Sequence, residues 1–285
     1  MTAGAPQRPW EYSAFPVRVA RKERVSPGFV RVTLADPALR DFAPWGLDQR
    51  IKLVLPMPDG STPDFGLHQQ PTPHPKQWYA RWKALPEDRR NPLRTYTPSA
   101  IRPDAAEIDV DLFIHEPAGP ASTWALTCLP GDELVITGPD IRAGRTGYGI
   151  HFTPPSTPTR LLLIGDESAL PAIDNILAAR PAGTPADVLV ALADPADDIL
   201  TATTGARVHL VTGESAATSG LDAALQRWAV AGGREVVDDP GLYVWIAGES
   251  GTTTRLRGQL IGQLGVDRER VAFLGYWKLG GPLVG

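Results

Sequence analysis

Apolar and polar residues alternate through the first half of the chain. In RIKLVLP (50–56) and IDVDLFIH (108–115) every second side chain is apolar, the period of a strand with one face in a core. Comparable segments lie at FPVRVARKERV (15–25), FVRVTLAD (29–36), QRIKLVLPMPDG (49–60), LRTYTP (93–98), EIDVDLFIHE (107–116) and DELVITGP (132–139), broken by Gly, Pro and Asp. This close spacing predicts an antiparallel barrel. Residues 61–92, rich in Pro, Gln and His, predict a long excursion with a short helix near KQWYARWKAL (76–85). From Thr159 the rhythm changes. RLLLIG (160–165), ADVLVALAD (186–194), ARVHLVTG (206–213), GLYVWIAG (241–248) and RVAFLGYW (270–277) are apolar runs. Helical segments at 167–180, 219–231 and 250–265 intervene. Strands that are apolar on both faces and bounded by helices predict a parallel, doubly wound α/β sheet. The Pro-rich HFTPPSTPTR (151–160) reads as a linker, which gives domains at 1–157 and 158–285.

Length and composition fit this division. The 285 residues suffice for two cores, and 42% hydrophobic with 21% charged residues marks a globular chain. A formal net charge of -4 sets up no overall field for nucleic acid or an anionic membrane, so any anion must be bound by a local arrangement. A single cysteine, Cys128, excludes an internal disulfide and a multi-cysteine metal cluster; its setting in WALTCLPG predicts a buried structural thiol. The N-terminal MTAGAPQRPWEY has no apolar run of signal-peptide length, and no eighteen apolar residues follow one another, so a cytoplasmic location is expected.

Candidate chemistry concentrates at four places. In NPLRTYTPSA (91–100) an extended strand puts Arg94 and Tyr96 on one face and Thr95 and Thr97 on the other. Downstream, HEPAGPASTWA reads as a strand end, a Gly-Pro turn and a helix starting near Ala121. The small residues Gly119, Pro120, Ala121 and Ser122 make either an anion seat or a plain helix cap. Arg94 would clamp an anion bound there bidentately. In an α/β sheet ligands bind at carboxyl ends of strands. Two such ends, LLLIGDESALPAI and VWIAGESGTTTRL, carry Gly165, Asp166, Glu167 and Gly248, Glu249. Their glycines allow close backbone approach, Ser168 and Thr252 are expected to leave amides for a phosphate or ribose, and the two Glu residues could instead offset helix dipoles.

Taken in order, RTYTP, VDLFIHEPAGPASTWA, GDESALPAI, AGESGTTTRLR and GYWKLG resemble the siderophore-interacting proteins, FAD-dependent ferric-siderophore reductases of the ferredoxin-reductase-like superfamily. The resemblance runs from about Phe15 to Gly280. It implies an FAD-binding barrel, an NADH- or NADPH-binding domain, and a ferric siderophore as electron acceptor. Arg94 then resembles the pyrophosphate clamp, Tyr96 the flavin-stacking ring and Thr97 the hydroxyl near the redox edge. His115 matches a strand-end histidine beside the cofactor, and Gly119, Pro120, Ala121, Ser122, Trp124 and Ala125 match the flavin-phosphate turn. Lys52 and Lys278 match basic substrate residues. The chain departs from the pattern at Pro98 and Ser99, where arginine is usual, at Ala191, where Glu is frequent, and at Asp140, which displaces a cation to Arg142. Asp194 would accept a ribose hydroxyl and repel a 2′-phosphate, favouring NADH. A reduced ferredoxin as donor, and a flavin-binding siderophore carrier or a flavin oxidoreductase with another partner, remain open alternatives.

Overall fold

The computed structural model describes residues 11–213 and 216–280, apart from the side chains of 217–218 and 233–234. The N-terminal stretch discussed above lies, up to Trp10, outside the described residues. The chain divides into two compact units. The first runs to Arg24 and from Val30 to Ile150; the second takes Val25–Phe29 and the chain from His151. The proline-rich stretch expected as a linker, residues 151–160, belongs with the second unit. There Phe152 meets Tyr243 edge-on at 5.2 Å, and the Thr153 amide donates to the Tyr243 hydroxyl at 3.1 Å.

The first unit contains β1 (Tyr12–Arg24), β2 (Phe29–Ala35), β3 (Ile51–Val54), helix α1 (Pro75–Ala84), β4 (Leu93–Tyr96), β5 (Pro98–Arg102), β6 (Glu107–Phe113), helix α2 (Pro120–Thr127) and β7 (Glu133–Pro139). The strands form one sheet in the order β4-β3-β7-β1-β2-β6-β5. Its two outermost strands are joined by a single residue, Thr97, and two peptide units span at most about 7.6 Å. The sheet edges must therefore meet there, which curls the antiparallel sheet into a barrel. Alternation places Phe15, Val17, Val32, Leu34, Ile51, Leu53, Ile108, Val110, Leu112 and Ile136 in one core. The opposite face of β6 carries Asp109 and Asp111, which are buried because Arg102 and Arg31 lie across them in bidentate pairs. The excursion covers part of the outer face: Phe65, Leu67 and Trp78 pack on Ala14, Val54 and Val135.

In the second unit β8 (Arg160–Asp166), α3 (Leu170–Ala179), β9 (Ala186–Leu192), β10 (Ala206–Thr212), α4 (Leu221–Val237), β11 (Leu242–Glu249), α5 (Ser250–Gly262) and β12 (Val271–Trp277) follow in turn. The sheet order β10-β9-β8-β11-β12 is parallel throughout. The chain builds outward from β8 to β10, then returns to the other side of β8. The strand order thus reverses between β8 and β11, leaving a crevice at their carboxyl ends. β9 and β11 are buried along their whole length and β8 nearly so, as apolar runs covered on both faces should be.

Candidate functional site

The first unit holds its predicted residues on β4, at the end of β6 and on α2. β5 pairs with β6 so that Pro98 faces Val110. Arg94 and Tyr96 lie on β4, where they pair with Leu53 and Ile51 of β3, and β6 ends at Phe113, two residues before His115. Tyr96 packs on the barrel core, whose members include Leu112, Ala121, Trp124 and Ala125. Burial, only partly offset by the Arg94 charge, pushes its phenol up to about 12, so it is neutral near pH 7. The half-buried Arg94 has no carboxylate partner among the described residues; its guanidinium donates only to its neighbour's carbonyl, Leu93 O, at 2.9 Å. Thr97 is 5% exposed, and its hydroxyl makes no hydrogen bond among the described residues.

Helix α2 begins at Gly119 with no side-chain cap, and the first amide to bond inside the helix is that of Thr123, to Gly119 O at 2.9 Å. The amides of Ala121 and Ser122 precede it without an intrahelical acceptor. Ser122 is buried, and its hydroxyl lies 3.4 Å from Phe113 O, so it anchors the helix to β6. Trp124 and Ala125 belong to the core. His115 Nδ1 lies 2.8 Å from the Pro117 carbonyl, which requires a proton on Nδ1 and leaves Nε2 free; a Cβ on Gly119 would sit 3.3 Å from that Nε2. A helix N-terminus without a side-chain cap, an arginine with no carboxylate partner among the described residues and a neutral ring packed on the barrel core are the kinds of group that a dinucleotide pyrophosphate with a planar head needs. These residues fit FAD.

At the switch point of the second unit the geometry differs from expectation. Asp166, 2% exposed, accepts from Ser168 N at 3.0 Å, Ser168 Oγ at 2.5 Å, Trp277 Nε1 at 2.8 Å and Glu249 N at 3.0 Å. Burial raises its pKa, opposed by these bonds; four donors on two oxygens suit the ionised form. The carboxylate thereby ties together the ends of β8, β11 and β12. Glu167 Oε1 accepts from the Ala193 amide at 2.6 Å, and burial raises its pKa. Glu249 caps α5 by accepting from Thr252 N at 2.7 Å. Burial pushes its pKa up, yet the amides of Gly251, Thr252 and Leu279 bring it below the ordinary value. The amides expected to be available at Ser168 and Thr252 are therefore taken by the chain's own carboxylates, because an acidic residue preceding a helix caps it first.

The glycines also act differently. A Cβ on Gly165 would lie 2.5 Å from Ala169 Cβ and 3.1 Å from Ala247 O, so this glycine lets helix and neighbouring strand approach β8. Gly248 has φ +144°, and a Cβ there would overlap the Asp166 carboxylate. Asp194 is exposed and accepts from Ala196 N at 2.8 Å.

Among the basic residues, Lys52 leaves β3 on the face opposite Tyr96. It pairs with Thr95, whereas Ile51 pairs with Tyr96. Its Nζ lies 3.2 Å from Thr95 Oγ1, and burial followed by the charge of Arg50 lowers its pKa. The expectation of Arg142 as a substrate cation meets a physical obstacle. Its guanidinium is bonded to Asp140 at 2.7 and 3.0 Å and to Asp41 at 3.0 Å, so its charge is locally cancelled. Lys278 follows β12 and is exposed. Reasoning from the sequence missed Trp277 as the partner of Asp166; its signal was an indole at the very end of the last strand. No helix among the described residues is long and apolar enough to cross a membrane, and no cluster of metal-ligating side chains occurs among them.

An antiparallel barrel followed by a parallel α/β sheet whose switch point carries paired acidic turns defines a flavoreductase-type architecture. Two family models match in series: the siderophore-interacting FAD-binding domain over residues 18–143 and the siderophore-interacting protein domain over 158–280. The chain is 30% identical to the NADPH-dependent ferric-chelate reductase of Escherichia coli K12, over 91% of each chain. It belongs to the siderophore-interacting protein family. It is also 30% identical, over 92% of its own length, to the mycobactin import ATP-binding/permease protein IrtA of Mycolicibacterium thermoresistibile, but spans only 24% of that protein. Among solved structures it resembles the siderophore-interacting protein SipS of Aeromonas hydrophila, with TM-score 0.71 and 27% identity over 94% of this chain and 93% of that one. The ferredoxin reductase of carbazole 1,9a-dioxygenase shares the fold, with TM-score 0.61 at 18% identity over 93% of this chain and 70% of that one.

Proposed function

We propose that this protein is a ferric-siderophore reductase that draws electrons from a pyridine nucleotide and delivers them, through FAD held by the barrel unit, to a chelated ferric ion. What supports the reading is an Arg94 with no carboxylate partner among the described residues, an α2 N-terminus without a side-chain cap, and a neutral Tyr96 ring packed on the core to which α2 contributes. Arg94 and the amides of Ala121 and Ser122 hold the pyrophosphate, Tyr96 supports the planar head, and Thr97 and His115 offer polar groups at its edge. FAD, when bound, supplies the conversion from a two-electron donor to single-electron reduction. Lys278 and Lys52 are the cations left to attract an electronegative chelate. The pyridine nucleotide enters the switch-point crevice, where Asp166 and Glu249 act on the protein's own backbone and indole rather than on the donor. Because that donor is cytoplasmic, we place the reaction there.

The test is steady-state reduction of a ferric chelate with a ferrous trap, with NADH, NADPH and reduced ferredoxin supplied in parallel to the FAD-loaded protein. Trapped ferrous ion formed at the expense of a pyridine nucleotide supports the reading. Flavin that binds and chelate that binds, with no ferrous ion from any donor, would leave a carrier instead.

A further inference from the structure

The loops that leave the carboxyl ends of β9 and β10 are acidic and hold no cation. Residues 193–205 include Asp194, Asp197 and Asp198 but no Lys or Arg, and residues 213–220 include Glu214, again with no Lys or Arg. The arginines that bracket the first loop are engaged elsewhere. Arg180 donates to the carbonyls of Leu177 and Ala202 at 2.7 and 3.3 Å, and Arg207 pairs with the buried Asp187 at 2.7 Å, near the amino ends of the two strands.

Three of the chain's own carboxylates fix the course of the loop after β9. Glu167, in the turn after β8, accepts from the Ala193 amide at 2.6 Å. Asp174, on α3, accepts from the hydroxyl and amide of Thr201 and from the Ala202 amide, each at 2.7 Å. Asp197 is 4% exposed and accepts from Ser26 Oγ at 2.7 Å and from the Gly28 amide, both in the segment Val25–Phe29 of the same unit. Asp194 differs from these. It is exposed, one oxygen accepts from Ala196 N at 2.8 Å, and its side chain makes no other hydrogen bond among the described residues. A fixed loop therefore presents a carboxylate with one oxygen uncommitted, at the end of the strand next to β8.

A dinucleotide laid over the carboxyl ends of such a sheet brings its adenosine ribose to the end of the second strand. An acid there accepts from the 2′-hydroxyl of NADH, whereas an arginine is needed to hold the 2′-phosphate of NADPH. The second strand here is β9. A phosphate monoester carries a charge of about −1.5 to −2 at pH 7, and at this place it meets Asp194 with no Lys or Arg in either loop to neutralise it. We propose that Asp194, on its cation-free loop, selects NADH as the electron donor and rejects NADPH through the 2′-phosphate. The proposal rests on the pyridine-nucleotide reading above and decides between the two donors; the donor then differs from the one for which the Escherichia coli relative is named.

ADP-ribose and 2′-phospho-ADP-ribose carry the adenosine halves of the two donors and no nicotinamide, so binding can be read calorimetrically without electron transfer. Each is titrated into the FAD-loaded protein. The parent should bind ADP-ribose more tightly by about 10- to 100-fold, the scale of one uncompensated like-charge contact. That ratio should shrink as salt rises from about 0.05 to 0.5 M. Asp194→Asn keeps an oxygen for the Ala196 amide and removes the charge. It should tighten 2′-phospho-ADP-ribose by about fivefold or more while weakening ADP-ribose by about two- to tenfold, opposite changes that a merely structural cap does not produce. Anaerobic flavin reduction by NADH and NADPH should follow the same order in parent and variant. Equal affinity of the parent for the two compounds, or equal weakening of both in Asp194→Asn, overturns the proposal and leaves the pyridine-nucleotide reading standing. Binding of neither compound to protein that retains its flavin overturns both.

Discussion

Replacing Asp166 with Asn tests how the switch point is held. The carboxylate receives four hydrogen bonds from three places, the Ser168 turn, the Glu249 amide and the Trp277 indole. An amide keeps one accepting oxygen, enough for two of these donors, and turns an NH2 group toward the other two. Two charge-assisted bonds of about 1.5–3 kcal/mol each are lost. Relief of a buried charge returns part of this, in keeping with burial raising the pKa of Asp166. The net cost is about 2–4 kcal/mol. With a urea dependence of about 2–3 kcal/mol per molar, the unfolding midpoint of the second unit should fall by about 1 M. The Glu249 amide should lose hydrogen-exchange protection in step, since it donates directly to Asp166. Trp277→Phe should cost about 1–2 kcal/mol alone and be less than additive with Asp166→Asn, because the two share a bond. An unchanged midpoint together with unchanged protection of the Glu249 amide would refute the argument that this carboxylate ties the strand ends.

Other consequences follow from the same geometry. Arg94→Ala should weaken FAD binding by about one to two orders of magnitude, read by fluorescence titration of apoprotein, with folding unchanged; parent-like affinity would remove Arg94 from the clamp. Gly248→Ala forces a Cβ into Asp166 and an unfavourable φ, so it should destabilise the second unit and slow reduction by pyridine nucleotide while flavin content stays at the parent's level. Acid stability should depend on Asp140. Burial pushes its pKa up, but Arg142 and Ser13 hold it below 3.8 on balance. A depressed folded value contributes stability above 3.8 that is lost as pH falls through it, so Arg142→Gln should flatten the stability profile below about pH 5. A parallel pair of profiles would show that the contact contributes nothing.

The barrel and the doubly wound sheet were legible because their periods differ: alternation in IDVDLFIH gives one buried face, and runs such as LYVWIA give two. The boundary between β4 and β5 was not legible. LRTYTP read as one strand, whereas Thr97 ends one edge of the barrel and Pro98 opens the other, a position that proline tolerates without donating to a ladder. Local motifs identified which residues cluster at strand ends but not which partner each would choose. Asp166 and Glu249 look like ligand-binding acids in sequence, yet three-dimensional proximity gives them backbone amides and an indole first. Arg142 read as a free cation because its second partner, Asp41, lies a hundred residues away.

The most direct measurement of the central claim is an anaerobic single-turnover experiment on the FAD-loaded protein. NADH or NADPH is mixed first, in stoichiometric amount, and the flavin absorbance is followed; a ferric chelate with a ferrous trap is added second. The account predicts bleaching of the flavin on the first mix, then recovery of its colour on the second, with about two ferrous ions trapped per flavin as two electrons require. Bleaching without recovery in the presence of bound chelate, or ferrous ion formed at the same rate by protein lacking flavin, would contradict it.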